Sequence, residues 1–154
     1  AGTTNNVIPE AAELDITMRS LSEDTRERLA SGVCNLIEQI PVAHGLRGEV
    51  KLKRGYPPTI NHAAGAELVA KAAQGLLGTE GYRLMPNPDM ASEDFSYLLQ
   101  RYNGAFAFLA VAPQGKEGKA APCHSNHIKV DEDAMAVGVA MHAAIVFSSL
   151  SGLT

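Results

Sequence analysis

Apolar and polar positions alternate near the start of the chain. In "AELDITMR", residues 12–19, Leu14, Ile16 and Met18 fall on one face and Glu13, Asp15, Thr17 and Arg19 on the other. That period of two predicts a half-buried strand. The period then changes. Ser22 stands where an N-cap belongs, and Glu23 and Asp24 put acids in a first turn, where the helix dipole favours them. Leu29, Val33, Leu36, Ile37 and Ile40 follow at helical spacing as one stripe,. Pro41 lies inside this helix and predicts a kink or an early end, and Gly45 and Gly48 predict its stop. "EVKLKRG" alternates again, with Val50 and Leu52 inward. The first fifty-five residues thus read as strand, helix, strand.

Pro57 and Pro58 in "GYPPTIN" favour an extended connection,. A domain boundary is expected there, dividing residues 1–57 from 58–154. A second helix is predicted from about Ala63 to Leu77, with Leu68, Val69, Ala72, Leu76 and Leu77 apolar. A short strand, "YRLM", follows Gly81, and "PNPDMASEDF" is a loop leading to a short helix capped by Ser92,. "GAFAFLAVAP" is apolar without alternation and predicts a strand covered on both faces. The last helix is predicted from near Asp131 to about Ser149. It is apolar nearly all round, so burial is expected.

Composition narrows the classes. The 154 residues carry a net charge of −4 with scattered basic residues, so no nucleic-acid footprint is present. The longest uninterrupted apolar stretch is short of a membrane span, and no membrane role is expected. Cys34 and Cys123 are too few for a disulfide framework, which makes a reducing, cytoplasmic location the expectation,. The opening "AGTTNNVIPE" has no methionine and reads like the middle of a protein, as a fragment or a processed product would.

Four places could carry chemistry. His124, in "CHSN", lies in a loop after an apolar strand and before a helix, where ligands often project from α/β sheets. A neutral imidazole there suits a zinc-like ion; a carbonyl-bonded loop histidine fits the pattern as well. His127 could add a second ligand or stand exposed. Glu93 and Asp94 suit a general base or a carboxylate orienting a metal ligand from behind, or simply the first turn of a helix. Asn6 and Arg19 bracket the first strand. A guanidinium fork holds a carboxylate and an amide adds a donor; a turn asparagine and a solvated strand end are the plainer alternatives.

The order of the segments says more than any one of them. "NNVIPEAAELDITMRS", "KRGYPPTIN", "MASEDFSYLLQ", "GAFAFLA" and "PCHSNHIKVDEDA" together resemble the amidohydrolase branch of the metallopeptidases. This branch includes aminoacylase, carboxypeptidase G, hippurate hydrolase and the indole-acetyl-amino-acid hydrolases, and the resemblance spans essentially the whole chain. It implies an α/β fold: residues 1–57 as the second half of a ferredoxin-like α+β lid, a dimerisation domain, and 58–154 as the C-terminal part of an α/β metallopeptidase catalytic domain. It implies hydrolysis of the amide bond of N-acyl amino acids by a longer parent enzyme holding two divalent ions (zinc, manganese, cobalt or nickel). His124 would be one metal ligand. Asn6 and Arg19 would hold substrate oxygens, Gly104 would line the cleft, and Glu93 and Asp94 would lie nearby. The remaining ligands (a cysteine–histidine pair, a glutamate and a histidine) and the general-base glutamate fall upstream in relatives and are absent here. Cys123 departs from the aliphatic residue that usually precedes the metal histidine.

The resemblance therefore implies a chain that is inactive by itself and need not hold metal, with a small N-acyl amino acid as the parent's partner and a homo-oligomer as its assembly. Two other readings follow from the same residues: a non-catalytic dimerisation module, and a self-sufficient metal site built from His124, His127, Glu93 and Asp94.

Overall fold

A computed structural model describes residues 1–115 and 118–152. Among these residues four α-helices are formed: α1 (Glu23–Ala43), α2 (Ala63–Leu77), the single-turn α3 (Ser96–Leu99) and α4 (Ala134–Ser151), with a 3-10 turn at Thr79–Gly81. The chain divides into two compact units, residues 1–58 with 89–91, and residues 59–88 with 92–154.

In the first unit, α1 starts where the capping pattern places it. The Ser22 hydroxyl accepts from the Thr25 amide at 3.2 Å, satisfying a donor that the first turn leaves unpaired. Pro41 does not end the helix, which runs two residues further. The proline has no N–H for the Ile37 carbonyl, and Gly48 lies against that carbonyl: a Cβ at position 48 would sit 1.9 Å from the Ile37 oxygen. Termination comes from Gly45, which takes φ 70°. Its amide bonds the Val42 carbonyl and the Leu46 amide bonds the Pro41 carbonyl, the paired arrangement that a left-handed glycine makes possible at a helix end.

In the second unit, α2 packs against α4. The α2 residues Ala72 and Ala73 are buried, as is Leu99 of α3, so the core here is built largely from small side chains. Ser96 is fully buried, and its hydroxyl donates to the Glu93 carbonyl at 2.7 Å, which meets the cost of burying a polar group.

Two expectations change. The short helix is not capped by Ser92. The N-cap position is Phe95, without a side-chain cap bond; Glu93 closes the turn before it, its carbonyl accepting from the Ser96 amide at 3.3 Å and its carboxylate from the Phe95 amide at 3.2 Å. Nor is α4 largely buried. None of its described residues is buried; Val137, Met141, Ala144 and Ile145 are half-buried while Met135, Val139, Val146, Phe147 and Leu150 are exposed. An all-apolar helix offers two faces, and the chain covers one. By length and composition alone α4 could cross a membrane; its contact with α2 fits a layer of a globular protein equally.

Among the described residues no segment forms a β-strand. Residues 12–19, 49–54, 82–85 and 104–113 lie outside the helices and make no ladder with one another. Alternation specifies which side chains share a face. A strand also needs a second backbone to bond with.

Candidate functional site

The best-defined polar arrangement joins the start of α2 to residues 104–106. The Asn61 amide works as a fork, its Nδ2 donating to the Phe106 carbonyl at 2.9 Å and its Oδ1 accepting from the Phe106 amide at 2.8 Å. One side chain thereby does for Phe106 what a neighbouring strand would do. The next amide, of His62, bonds the Gly104 carbonyl at 3.0 Å. Gly65 permits this closeness, because a Cβ there would fall 2.5 Å from the Gly104 carbonyl carbon. Gly104 is thus fixed by α2, and Leu99 Cδ2 would meet a Cβ on it at 3.4 Å.

Aromatic contacts bring the Glu93–Asp94 segment to the same place. Phe95 meets Phe106 with ring centroids 5.7 Å apart, and Phe106 meets Phe108 edge-on at 5.2 Å, geometries that aromatic quadrupoles favour. The backbone carbonyls of Glu93 and Asp94 are both used in the α3 turn, Asp94 accepting from the Tyr97 amide at 3.0 Å. Both lie in the turn that precedes the Phe95 N-cap position of α3. Glu93 is half-buried and Asp94 exposed.

His124 sits in an exposed turn. The Ser125 amide bonds the Pro122 carbonyl and the Ile128 amide bonds the Ser125 carbonyl, while the Ser125 hydroxyl accepts from the His127 amide at 3.1 Å. Ser125 therefore shapes the loop on which both imidazoles stand, and both are exposed. Among the described residues no three histidine, cysteine or acidic side chains converge on a point that could hold a metal ion. The self-sufficient site of His124, His127, Glu93 and Asp94 is therefore not formed. Turns of different segments hold these residues apart, and one exposed imidazole supplies one ligand where a catalytic zinc site uses three. These residues alone do not fit a metal centre.

In the first unit, Asn6 lies in an exposed turn. Arg19 is exposed too, and its guanidinium donates to the carbonyl of Met90. It has no ion pair among the described residues. The charge pairs of this unit lie elsewhere. Arg54 grips Glu27 through both nitrogens, one contact at 2.7 Å, and Arg26 reaches the Gly55 carbonyl at 2.6 Å. The Arg54 hydrogen bond holds the Glu27 carboxyl below the usual carboxylate range, and Glu27 in turn raises Arg54.

Asn61 and His62 were not singled out in the sequence. "YPPTIN" reads as a stiff connection, and the usable signal is an amide immediately before a helix, a side chain that can donate and accept at once. His62 Nδ1 is buried and unpartnered, and its residue starts α2 without a side-chain cap.

Comparison with known proteins gives this arrangement its context. Residues 7–148 match the family model for peptidase family M20/M25/M40. The chain belongs to this family. Among M20 relatives, it is 33% identical to thermostable carboxypeptidase 1 of Saccharolobus solfataricus, over 97% of this chain and 37% of the carboxypeptidase. It is 35% identical to the N-acetyl-L-cysteine deacetylase of Bacillus subtilis, over 70% of this chain and 25% of the deacetylase. It is 33% identical to the N-acetyldiaminopimelate deacetylase of Streptococcus pneumoniae, over 91% of this chain and 35% of that enzyme. The matches cover between a quarter and little more than a third of the length of these curated M20 relatives.

Proposed function

We propose that this M20 chain serves a longer enzyme that hydrolyses the amide bond of N-acyl amino acids. The single observation that carries the reading is the family match across residues 7–148, and relatives named as deacetylases of N-acetyl amino acids support it. In this reading residues 1–57 form the second half of a ferredoxin-like lid and 58–154 the end of an α/β catalytic domain. The strands would then gain their partners from backbone outside this chain. The alternation at 12–19 and 49–54 supports that.

The chain's own residues would bind and orient. The Arg19 guanidinium presents a planar fork to the substrate carboxylate. The Asn6 amide donates to the carbonyl oxygen and bears charge that develops there. The backbone at Gly104, pinned by Asn61 and His62, would line the cleft, with Glu93 and Asp94 in the neighbouring turn. His124 would give one ligand to the metal ions of the longer enzyme, with the general base also outside this chain. A cytoplasmic location belongs to the same proposal; Cys34 and Cys123 are both free thiols.

The test has two arms. The purified 154-residue chain, given zinc, manganese or cobalt, is expected to release no amino acid from N-acetyl-L-cysteine or N-benzoylglycine. Turnover by it would overturn the division of labour. In an active longer enzyme containing this chain, His124→Ala is expected to remove most activity and lower metal content, whereas unchanged metal content would remove His124 from the site.

A second reading has an observation of its own. Leu36 and Ile40 on α1 and Val139 and Phe147 on α4 are exposed, as they would be in a non-catalytic dimerisation module. Light scattering at low micromolar concentration separates monomer from assembly.

A further inference from the structure

Arg19 presents an imbalance. Its guanidinium carries a full positive charge, yet the acceptor it holds is the neutral carbonyl of Met90. That carbonyl belongs to a small turn in which the Asp89 carboxylate accepts from the Ala91 amide at 3.0 Å. Residues 89–91 cluster with the first unit, although the chain on both sides of them, 59–88 and 92–154, clusters with the second. Of the contacts made by residues 89–91, the arginine is the one hydrogen bond described that reaches beyond the turn.

A carboxylate is the better partner for such a group. It accepts two parallel hydrogen bonds where a carbonyl accepts one in this geometry, and charge-assisted bonds are roughly twice as strong as neutral ones. Arg19 is exposed, so an incoming anion need not displace packed side chains to reach it.

We propose that the Met90 carbonyl is a place-holder on Arg19, surrendered when a substrate carboxylate binds, so that filling the arginine frees the 89–91 turn. This rests on the carboxylate role proposed above for Arg19. The freed segment is joined through Ser92 to Glu93, whose carboxylate and carbonyl accept from the Phe95 and Ser96 amides at the entry to α3. Substrate binding at Arg19 would thereby free a turn that ends four residues before Phe95.

The sequence supplies a clean probe. Met–Ala junctions occur only at Met90–Ala91 and Met135–Ala136. Protein labelled with carbon-13 at methionine carbonyls and nitrogen-15 at alanine gives one carbonyl-correlated signal from each, the second serving as control in α4. Arg19→Met is expected to shift the Met90 carbonyl signal and leave Met135 in place. Titrating N-benzoylglycine into the unaltered chain is expected to move the Met90 signal toward its position in the variant, and to move nothing in the variant. If Arg19→Met leaves the Met90 signal where it was, the bond does not exist and the proposal is overturned. If other alanine signals report binding while Met90 stays fixed, the place-holder is overturned and the carboxylate role survives. If no signal responds to the ligand in either chain, Arg19 takes no carboxylate in this chain and the place-holder is overturned, while the carboxylate role in the longer enzyme is judged by whether Arg19→Met raises its KM.

Discussion

Helices α1 and α4 are both long and both carry exposed apolar residues, but they are held in different ways. The ends of α1 are written into its own sequence: a serine cap at one, a left-handed glycine at the other, and a proline–glycine pair that fits Gly48 against Ile37. Charge pairs lie on its first two turns, Arg26 with Glu23 and Arg54 with Glu27. Among the described residues, the α4 helix has no side-chain cap, no acid in its first turn and no base in its last. Its place comes from packing against α2. A helix specified from within should register point changes at its ends. One specified by contact should register them only on the covered face.

The largest expected effect is at Gly48. A methyl group there would collide with the Ile37 carbonyl carbon and oxygen, backbone atoms that cannot turn aside. Gly48→Ala should cost about 2–3 kcal/mol, in the range of overpacked sites, measured by urea unfolding. A change near zero would show that α1 is not locked at this end. Ser22→Ala should cost about 1 kcal/mol, with Ser22→Asp restoring most of it; equal loss in both variants would mean the cap contributes nothing.

The contrast is sharpest on the outer face of α4. Val139→Asp and Phe147→Asp replace residues that are 72% and 70% exposed, so in the 154-residue chain each should stay within about 0.5 kcal/mol of the parent, as surface changes do. A large loss would break the comparison by revealing a partner on that face, a second copy included. The smallest effect concerns pH. Arg54 depresses the Glu27 carboxyl in the folded chain, so its contribution is present above the ordinary carboxylate pKa and disappears as pH falls through the depressed value. Arg54→Met should flatten that acid limb slightly. An identical acid limb in both chains would assign the pair no role, which is the usual result for exposed ion pairs.

How much of this was legible depended on whether the cause was local. The start of α1 could be read from its serine cap and the extent of α2 from its periodicity, because both signals act within a few residues. Pro41 could be read only as a dilemma, since its outcome depends on Gly48 fitting beside Ile37 from beyond the helix end. The burial expected for α4 did not follow from its composition, because an apolar surface states a demand for cover and not its supply. Ser92 looked like a cap by position, but Glu93 and Asp94 form a turn of their own and the helix begins only after Phe95. At the site, His124 and Arg19 were marked by the resemblance in segment order, whereas Asn61 was hidden in a connection. Its function depends on Phe106, forty-five residues away, and no local window spans that distance.

The Asn61 fork also ties the 104–106 segment to the integrity of a single amide. Hydrolysis of that amide to a carboxylate, a slow spontaneous reaction of asparagine, would leave an acceptor facing the Phe106 carbonyl and no donor to offer it.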